Sequence, residues 1–333
     1  MEFDPSSDAS LRPAPDPWPG SKGEPGKAQQ LERYVRAARG AFSHNTERAL
    51  RSDLGIYATW CDENGERALP AGAETVAAFV DSMAKSRAPA TVRRYVTSIA
   101  IAQRAMGCAQ TTTSPLVQLA LKRMHRIKGR RQIQAQGLTW PLRKRLLEAP
   151  GDRLIDARNR ALLAVAYDGM LRRAELTSLH VQDLLEETPG YGTLLVRRGK
   201  TDGEGYGDIV YLARDTMALV RAWLSRSGVT AGRLFRSVHK AETLGEGLHA
   251  SQIPRIFKAM AERAGLPKGL VDGLSGHSAR VGAAQDMIAA GIELPAILHA
   301  GRWKSTAMVI RYGERLLATR SGAAQLARLQ KRE

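Results

Sequence analysis

Ser275-Gly276-His277-Ser278-Ala279-Arg280-Val281-Gly282-Ala283-Ala284 is the most informative stretch of this 333-residue chain. His277 and Arg280 stand three apart among small residues at the start of an expected helix, so both side chains can point one way. The unpaired N–H groups of a helix's first turn favour an anion at the same end. Alone, such a pair is ordinary, because a histidine and an arginine on a helix surface are more often structural than functional. Their meaning depends on what accompanies them.

Upstream, Met170-Leu171-Arg172-Arg173-Ala174-Glu175-Leu176 places Arg172 and Glu175 three apart on another expected helix. That spacing suits a buried guanidinium held by a carboxylate, or a simple surface pair. Lys200 falls at the tip of a glycine-rich turn, where a solvated lysine is the ordinary reading. Downstream, Trp303 reads as a core or docking residue, and Tyr312 as half-buried on the last apolar stripe. Two other signals lead nowhere. Gly199-Lys200-Thr201 ends like a phosphate loop, but six residues separate Gly192 from Gly199 instead of four and a strand fills the gap. The seven histidines include no His-Glu-x-x-His and no ligand pair at a metal spacing, so neither a metal nor another cofactor is expected.

Composition narrows the partner. Fifty Lys and Arg against 33 Asp and Glu leave a formal charge of +17, which attracts a polyanion, nucleic acid being the usual one. Cys61 and Cys108 are isolated and read as small hydrophobes in a reducing compartment. The sequence contains no apolar run of the roughly 18 residues that a membrane span requires. The expectation is a soluble, cytoplasmic protein.

Residues 1–27 hold six of the 15 prolines and few aliphatic side chains, and read as a disordered tail. Residues 28–126 read as a small helical domain. Leu50, Leu54, Tyr57 and Cys61 repeat at helical spacing behind the cap candidates Ser43, Asn45 and Thr46. Val92, Val96, Ile99 and Met106 form a second stripe, and Leu116, Leu119 and Met124 a third, opened by Ser114 and Pro115. Residues 122–131 carry six Lys or Arg and no acid, and periodicity then lapses, which suggests a basic linker over 127–138. Residues 139–333 read as a second domain, mainly helical, with one β-hairpin made from Thr193–Arg198 and Asp208–Leu212 and a terminal helix at about 316–330. The fold class is therefore mainly α with a small β element.

Arginine, glutamate, hairpin lysine, His-x-x-Arg, tryptophan and a late tyrosine, in this order, resemble the tyrosine recombinase (phage integrase) family. The resemblance is clearest over about Ala161 to Tyr312 and weaker back to Ala41-Phe42-Ser43. It implies that Arg172, Glu175, Lys200, His277, Arg280, Trp303 and Tyr312 form the active site of a site-specific DNA recombinase. Tryptophan stands where many members carry histidine, and an indole N–H can donate to a phosphate oxygen but cannot shuttle a proton. The residue types suit the chemistry. Two guanidiniums can hold the non-bridging oxygens of a phosphodiester without a metal, and cations beside a phenol favour the phenolate nucleophile. The intermediate would be a 3'-phosphotyrosine, with Lys200 as general acid for the departing 5'-oxygen.

The resemblance further implies a two-domain clamp on double-stranded DNA, a target with inverted-repeat arms, and a homotetramer joined by exchange of the terminal helix. Arg93 and Arg94, opposite the Val92 stripe, and Arg48 are the DNA-reading candidates of the first domain. Ser251, Gln252 and Arg255 are those of the second. A type IB topoisomerase or telomere resolvase would use similar residues, and a non-catalytic DNA-binding regulator would leave the seven positions unexplained.

Overall fold

A computed structural model describes residues 33, 34, 36, 41–131, 134–187, 190–197 and 206–332. The expected tail over 1–27 and Lys200 lie outside the described residues. The chain divides into two compact units, residues 1–132 and 133–333.

The described part of the first unit is helical: α1 (His44–Glu63), α2 (Ala73–Ser86), α3 (Pro89–Ala105) and α4 (Pro115–Lys128). Local chemistry sets the ends. Ser43 Oγ accepts from the Thr46 amide at 3.2 Å and Ser114 Oγ from the Val117 amide at 3.4 Å. Pro89 and Pro115 open their helices, and Gly129 closes α4 at φ 71°, a left-handed backbone that glycine adopts freely. Leu50, Leu54, Tyr57 and Cys61 meet Val76, Phe79, Val92 and Ile99 in the core, where the Tyr57 ring packs edge-on against Phe79. The third stripe differs from the sequence reading. Leu116 and Leu119 are 45% and 50% exposed, and α4 buries Val117, Ala120 and Met124 instead. These positions repeat at i, i+3 and i+7, and the small Ala120 lets α2 pack closely along α4. Cys61 is buried, while Cys108 lies beyond the end of α3 and is half-buried.

In the second unit α5 (Trp140–Leu147) and α6 (Leu154–Asp168) precede α7 (Arg173–Ser178), then β1 (Leu184–Glu186), β2 (Gly192–Val196) and β3 (Asp208–Leu212). There follow α8 (Arg214–Ser227), α9 (Gln252–Arg263), α10 (Lys268–Gly273), α11 (Ser278–Ala289), α12 (Leu294–Gly301), α13 (Ala307–Ala318) and α14 (Gly322–Leu329). Helix α6 is the centre of the core: Ala161 to Ala166 are buried without a break. It packs against α8 and α11. The sheet is antiparallel in the order β1-β2-β3, with Leu194 opposite Val210. Leu194, Val196, Val210 and Leu212 turn inward while Ile209 and Tyr211 face out. The sequence reading found β2 and β3 but not β1, whose three residues are too few to alternate.

Two boundaries shift. Gln136 donates its amide to the Gly273 carbonyl and Leu138 donates to Ser278, both within 2.9 Å, so the end of the expected linker is part of the second unit. The expected terminal helix over 316–330 is divided. Leu316 belongs to α13, the chain turns at Thr319–Ser321, and Ser321 Oγ caps α14 by accepting from Ala324. Arg320 fixes the turn by donating to the Ile288 and Ala289 carbonyls at the end of α11. No residue of α14 is buried. Among the described residues no helix is long and apolar enough to cross a membrane.

Candidate active site

The site is built around the turn between α6 and α7. Met170 has φ 46°, a left-handed conformation that L side chains rarely adopt, and its carbonyl accepts from Arg280 Nη1 and, at 3.4 Å, from Arg302 Nη2. Two residues on, Arg172 is not within a helix as its spacing suggested; it caps α7 from outside. Its amide donates to Glu175 Oε2 at 3.0 Å and its Nη1 to Glu175 Oε1 at 2.6 Å. This reciprocal cap aims the guanidinium while satisfying the helix start.

Glu175 is 3% exposed, and Arg302 Nη2 donates to its Oε2 at 2.8 Å. Burial alone would raise its carboxyl, but the hydrogen bonds from Arg172 and the charge of Arg302 outweigh burial and hold it below the usual carboxylate range. Arg280, three residues into α11, is 2% exposed and donates Nη2 to the Gly301 carbonyl. Burial, reinforced by the positive Arg172 and Arg302, pushes its guanidinium down to about 10, so it keeps its charge at neutral pH. Three guanidiniums around one buried carboxylate leave an excess of positive charge, which suits an anion.

The Arg280 guanidinium lies over the Trp303 ring, 4.7 Å from its centroid, and Trp303 meets Tyr312 edge-on with centroids 5.6 Å apart. Tyr312 sits in the middle of α13, half-buried, and its carbonyl accepts from Gln285 Nε2 at 3.1 Å and Gln134 Nε2 at 3.4 Å. His277 caps α11 and is exposed, its amide donating to Ser275 Oγ at 3.1 Å. His277 and Arg280 are therefore not an ordinary surface pair: the histidine is exposed and the arginine is buried. Next to His277, Gly276 packs against Arg173 and Pro254, where an added Cβ would stand 3.3 and 3.6 Å from side-chain carbons. The starts of α7, α9 and α11 therefore converge.

Of the seven expected residues, Arg172, Glu175, Arg280, Trp303 and Tyr312 are joined through side chains and the Met170 turn. His277 heads the helix that carries Arg280, and Lys200 lies outside the described residues. Ser251, Gln252 and Arg255 are exposed at the start of α9, beside Pro254. In the first unit Arg48 and Arg93 are exposed. Arg94 also reaches the surface, but its Nε and Nη2 donate to the buried Asp53 at 2.9 and 2.8 Å, bracing α3 against α1. The sequence reading missed Arg302, Gln285 and Gln134. Only the position of Arg302, immediately before Trp303, could have drawn attention to it.

Comparison with known proteins agrees with the geometry. The phage integrase family matches residues 142–316. The recombinase cre of Escherichia phage P1 is 32% identical over 294 residues, covering 82% of this chain and 85% of the relative. An integrase/recombinase xerD homolog of Selenomonas ruminantium is 28% identical over 281 residues, 81% of each. In structure the chain is similar to the Tn1549 transposon integrase in complex with transposon right end DNA, with a TM-score of 0.62 at 14% identity over 87% of this chain and 98% of that one. It is also similar to the XerH site-specific recombinase bound to palindromic difH substrate, with a TM-score of 0.59 at 16% identity over 92% and 96%. The chain belongs to the phage integrase family and is a tyrosine site-specific recombinase of DNA.

Proposed function

We propose that this recombinase breaks and rejoins DNA through Tyr312. Arg172 and Arg280 hold the non-bridging oxygens of the scissile phosphate, assisted by His277 and Trp303, while Glu175 holds Arg172 and Lys200 serves as general acid. The observation that carries this reading is the continuous contact from Tyr312 through Trp303 to the buried Arg280. It puts a phenol beside a guanidinium that is fixed before any substrate arrives, as electrostatic catalysis requires. The phenolate attacks phosphorus, the bond to the 5'-oxygen breaks, and Lys200 passes a proton to that oxygen. The 3'-phosphate stays on the tyrosine. Attack by the 5'-hydroxyl of a second duplex then restores the phosphodiester and frees Tyr312, so the bond energy is conserved.

Both units contribute to binding double-stranded DNA as a clamp, through Arg48, Arg93 and Arg94 in one and Ser251, Gln252 and Arg255 in the other. The target carries inverted-repeat arms, and the protein assembles on it as a homotetramer in the bacterial cytoplasm. Exchange of α14 between protomers accounts for its apolar residues, Leu326 and Leu329, lying exposed on their own chain.

A DNA substrate nicked beside the cleavage point, which loses a short strand and traps the adduct, tests the nucleophile. The native protein should form an adduct that survives denaturing electrophoresis, and Tyr312→Phe should bind the same DNA without forming one. An adduct in the mutant refutes the assignment. Joining of two separate duplexes distinguishes recombination from strand relaxation.

A further inference from the structure

We infer that Arg302 is a positioning residue for strand cleavage, acting through Glu175 and the Met170 turn. The inference rests on the roles proposed above for Arg172 and Arg280. Arg302 has φ 51° and ψ 49°, a left-handed backbone that glycine occupies without strain and arginine does not. A non-glycine residue persists in such a conformation where its surroundings over-determine it. Here the side chain does so. Only 6% of it is exposed, and Nη1 donates to the Gly169 carbonyl at 2.9 Å while Nη2 donates to Glu175 Oε2 at 2.8 Å and to Met170 at 3.4 Å. Its Nε lies 3.7 Å from Asp208 Oδ2 at the start of β3.

These contacts define what Arg302 does. Glu175 offers one oxygen to the Arg172 guanidinium and the other to Arg302, so the carboxylate is clamped between two cations and cannot rotate away from either. The Met170 carbonyl is shared by Arg302 and Arg280, so the same guanidinium steadies the turn that leads into Arg172 and a hydrogen-bond partner of Arg280. Its own backbone joins Gly301, whose carbonyl holds Arg280, to Trp303, which stacks on Arg280. Arg302 therefore touches the supports of Arg172, Arg280 and Trp303, three of the four groups assigned to the phosphate. With only 6% of its side chain exposed, it acts by ordering those groups.

The test compares Arg302→Gly, which suits the backbone but removes the guanidinium, with Arg302→Lys and with the double variant carrying Glu175→Gln. Covalent-adduct rates on the nicked substrate are measured at saturating protein, alongside half-site binding and thermal melting. Arg302→Gly should cleave about tenfold to a hundredfold more slowly, as expected for a displacement of about 1 Å in the groups it orients. Binding should stay near the native value, melting should fall because the buried Glu175 loses one of its counter-charges, and Arg302→Lys should recover part of the rate. Because Arg302 acts through Glu175, adding Arg302→Gly to Glu175→Gln should cost much less than it does alone. If Arg302→Gly fails to fold, Arg302→Lys and its double variant carry the same comparison.

A native cleavage rate in Arg302→Gly overturns the inference. So do fully multiplicative losses, which would mean an independent role such as direct contact with DNA, or a loss of binding that accounts for the loss of rate. NMR titration of the Glu175 carboxyl gives a readout independent of cleavage: its pKa should rise in Arg302→Gly, and an unmoved value refutes the link. If Tyr312→Phe still forms the adduct, the nucleophile assignment falls while the Arg302–Glu175 link is judged by that titration.

Discussion

Gly301→Ala adds one methyl group at the most crowded point beside Trp303. A Cβ built there stands 2.3 Å from Trp303 Cε3 and 2.5 Å from Cδ2 and Cζ3. Ordinary carbon contacts begin near 3.5 Å, so the indole must retreat by about 1 Å. The ring is rigid, and the Trp303 amide is tied to the Leu298 carbonyl at 3.0 Å, so the retreat falls on the side chain. Moving it disturbs the stacking on Arg280 and the edge contact with Tyr312, worth about 0.5–2 and 0.5–1.5 kcal/mol. Against this, alanine is favoured over glycine in a helix by up to about 1 kcal/mol, and Gly301 ends α12 without a left-handed φ. Folding stability should therefore change by less than about 2 kcal/mol. Catalysis should change more, because a misplacement of about 1 Å costs about a hundredfold in rate, roughly 2.7 kcal/mol of barrier. Adduct formation at saturating protein, half-site gel shifts and a thermal melt separate these effects. Trp303→Ala removes the ring that the methyl strikes, so Gly301→Ala should add little in that background. A native cleavage rate in Gly301→Ala refutes the reasoning, and so does an equal loss with and without the indole.

Gly282→Ala tests the fold. Its Cβ would stand 2.1 Å from Leu138 C and O and 2.6 Å from Thr139 N, backbone atoms that no rotamer change can clear. Overpacking and the strained Leu138–Ser278 hydrogen bond should lower stability by about 2–4 kcal/mol, and an unchanged urea midpoint contradicts this. Glu175 gives a pH dependence. Its folded pKa lies below its unfolded value of about 4.3, so the stability it contributes is full above that pH and is lost as pH falls through the folded value. The melting difference between the native protein and Glu175→Gln should shrink below about pH 4, and a constant difference through that range contradicts the assignment.

How far the sequence could be read depends on what kind of fact each feature is. Leu50, Leu54, Tyr57 and Cys61 were legible because helical periodicity records a buried face directly. Leu116 and Leu119 misled because large aliphatics were weighed above spacing, whereas close packing of α2 on α4 selected the smaller Ala120. β1 is too short to carry a period, and the break before α14 depends on Arg320 reaching carbonyls some 30 residues earlier in the chain. Arg172, Glu175, Arg280, Trp303 and Tyr312, which lie together in the structure, were singled out because their order in the sequence resembles that of the family. Arg302 escaped because what distinguishes it is a left-handed backbone angle and partners far away in sequence.

Gln134 has a further consequence. Near the start of the second unit the side-chain amides of Gln134 and of Gln285 on α11 share one acceptor, the Tyr312 carbonyl. Four residues after Gln134, Leu138 is stitched to the start of α11. The turn of α13 that carries Tyr312 is thus gripped from two directions inside the second unit, by α11 and by the stretch of chain that leads into α5.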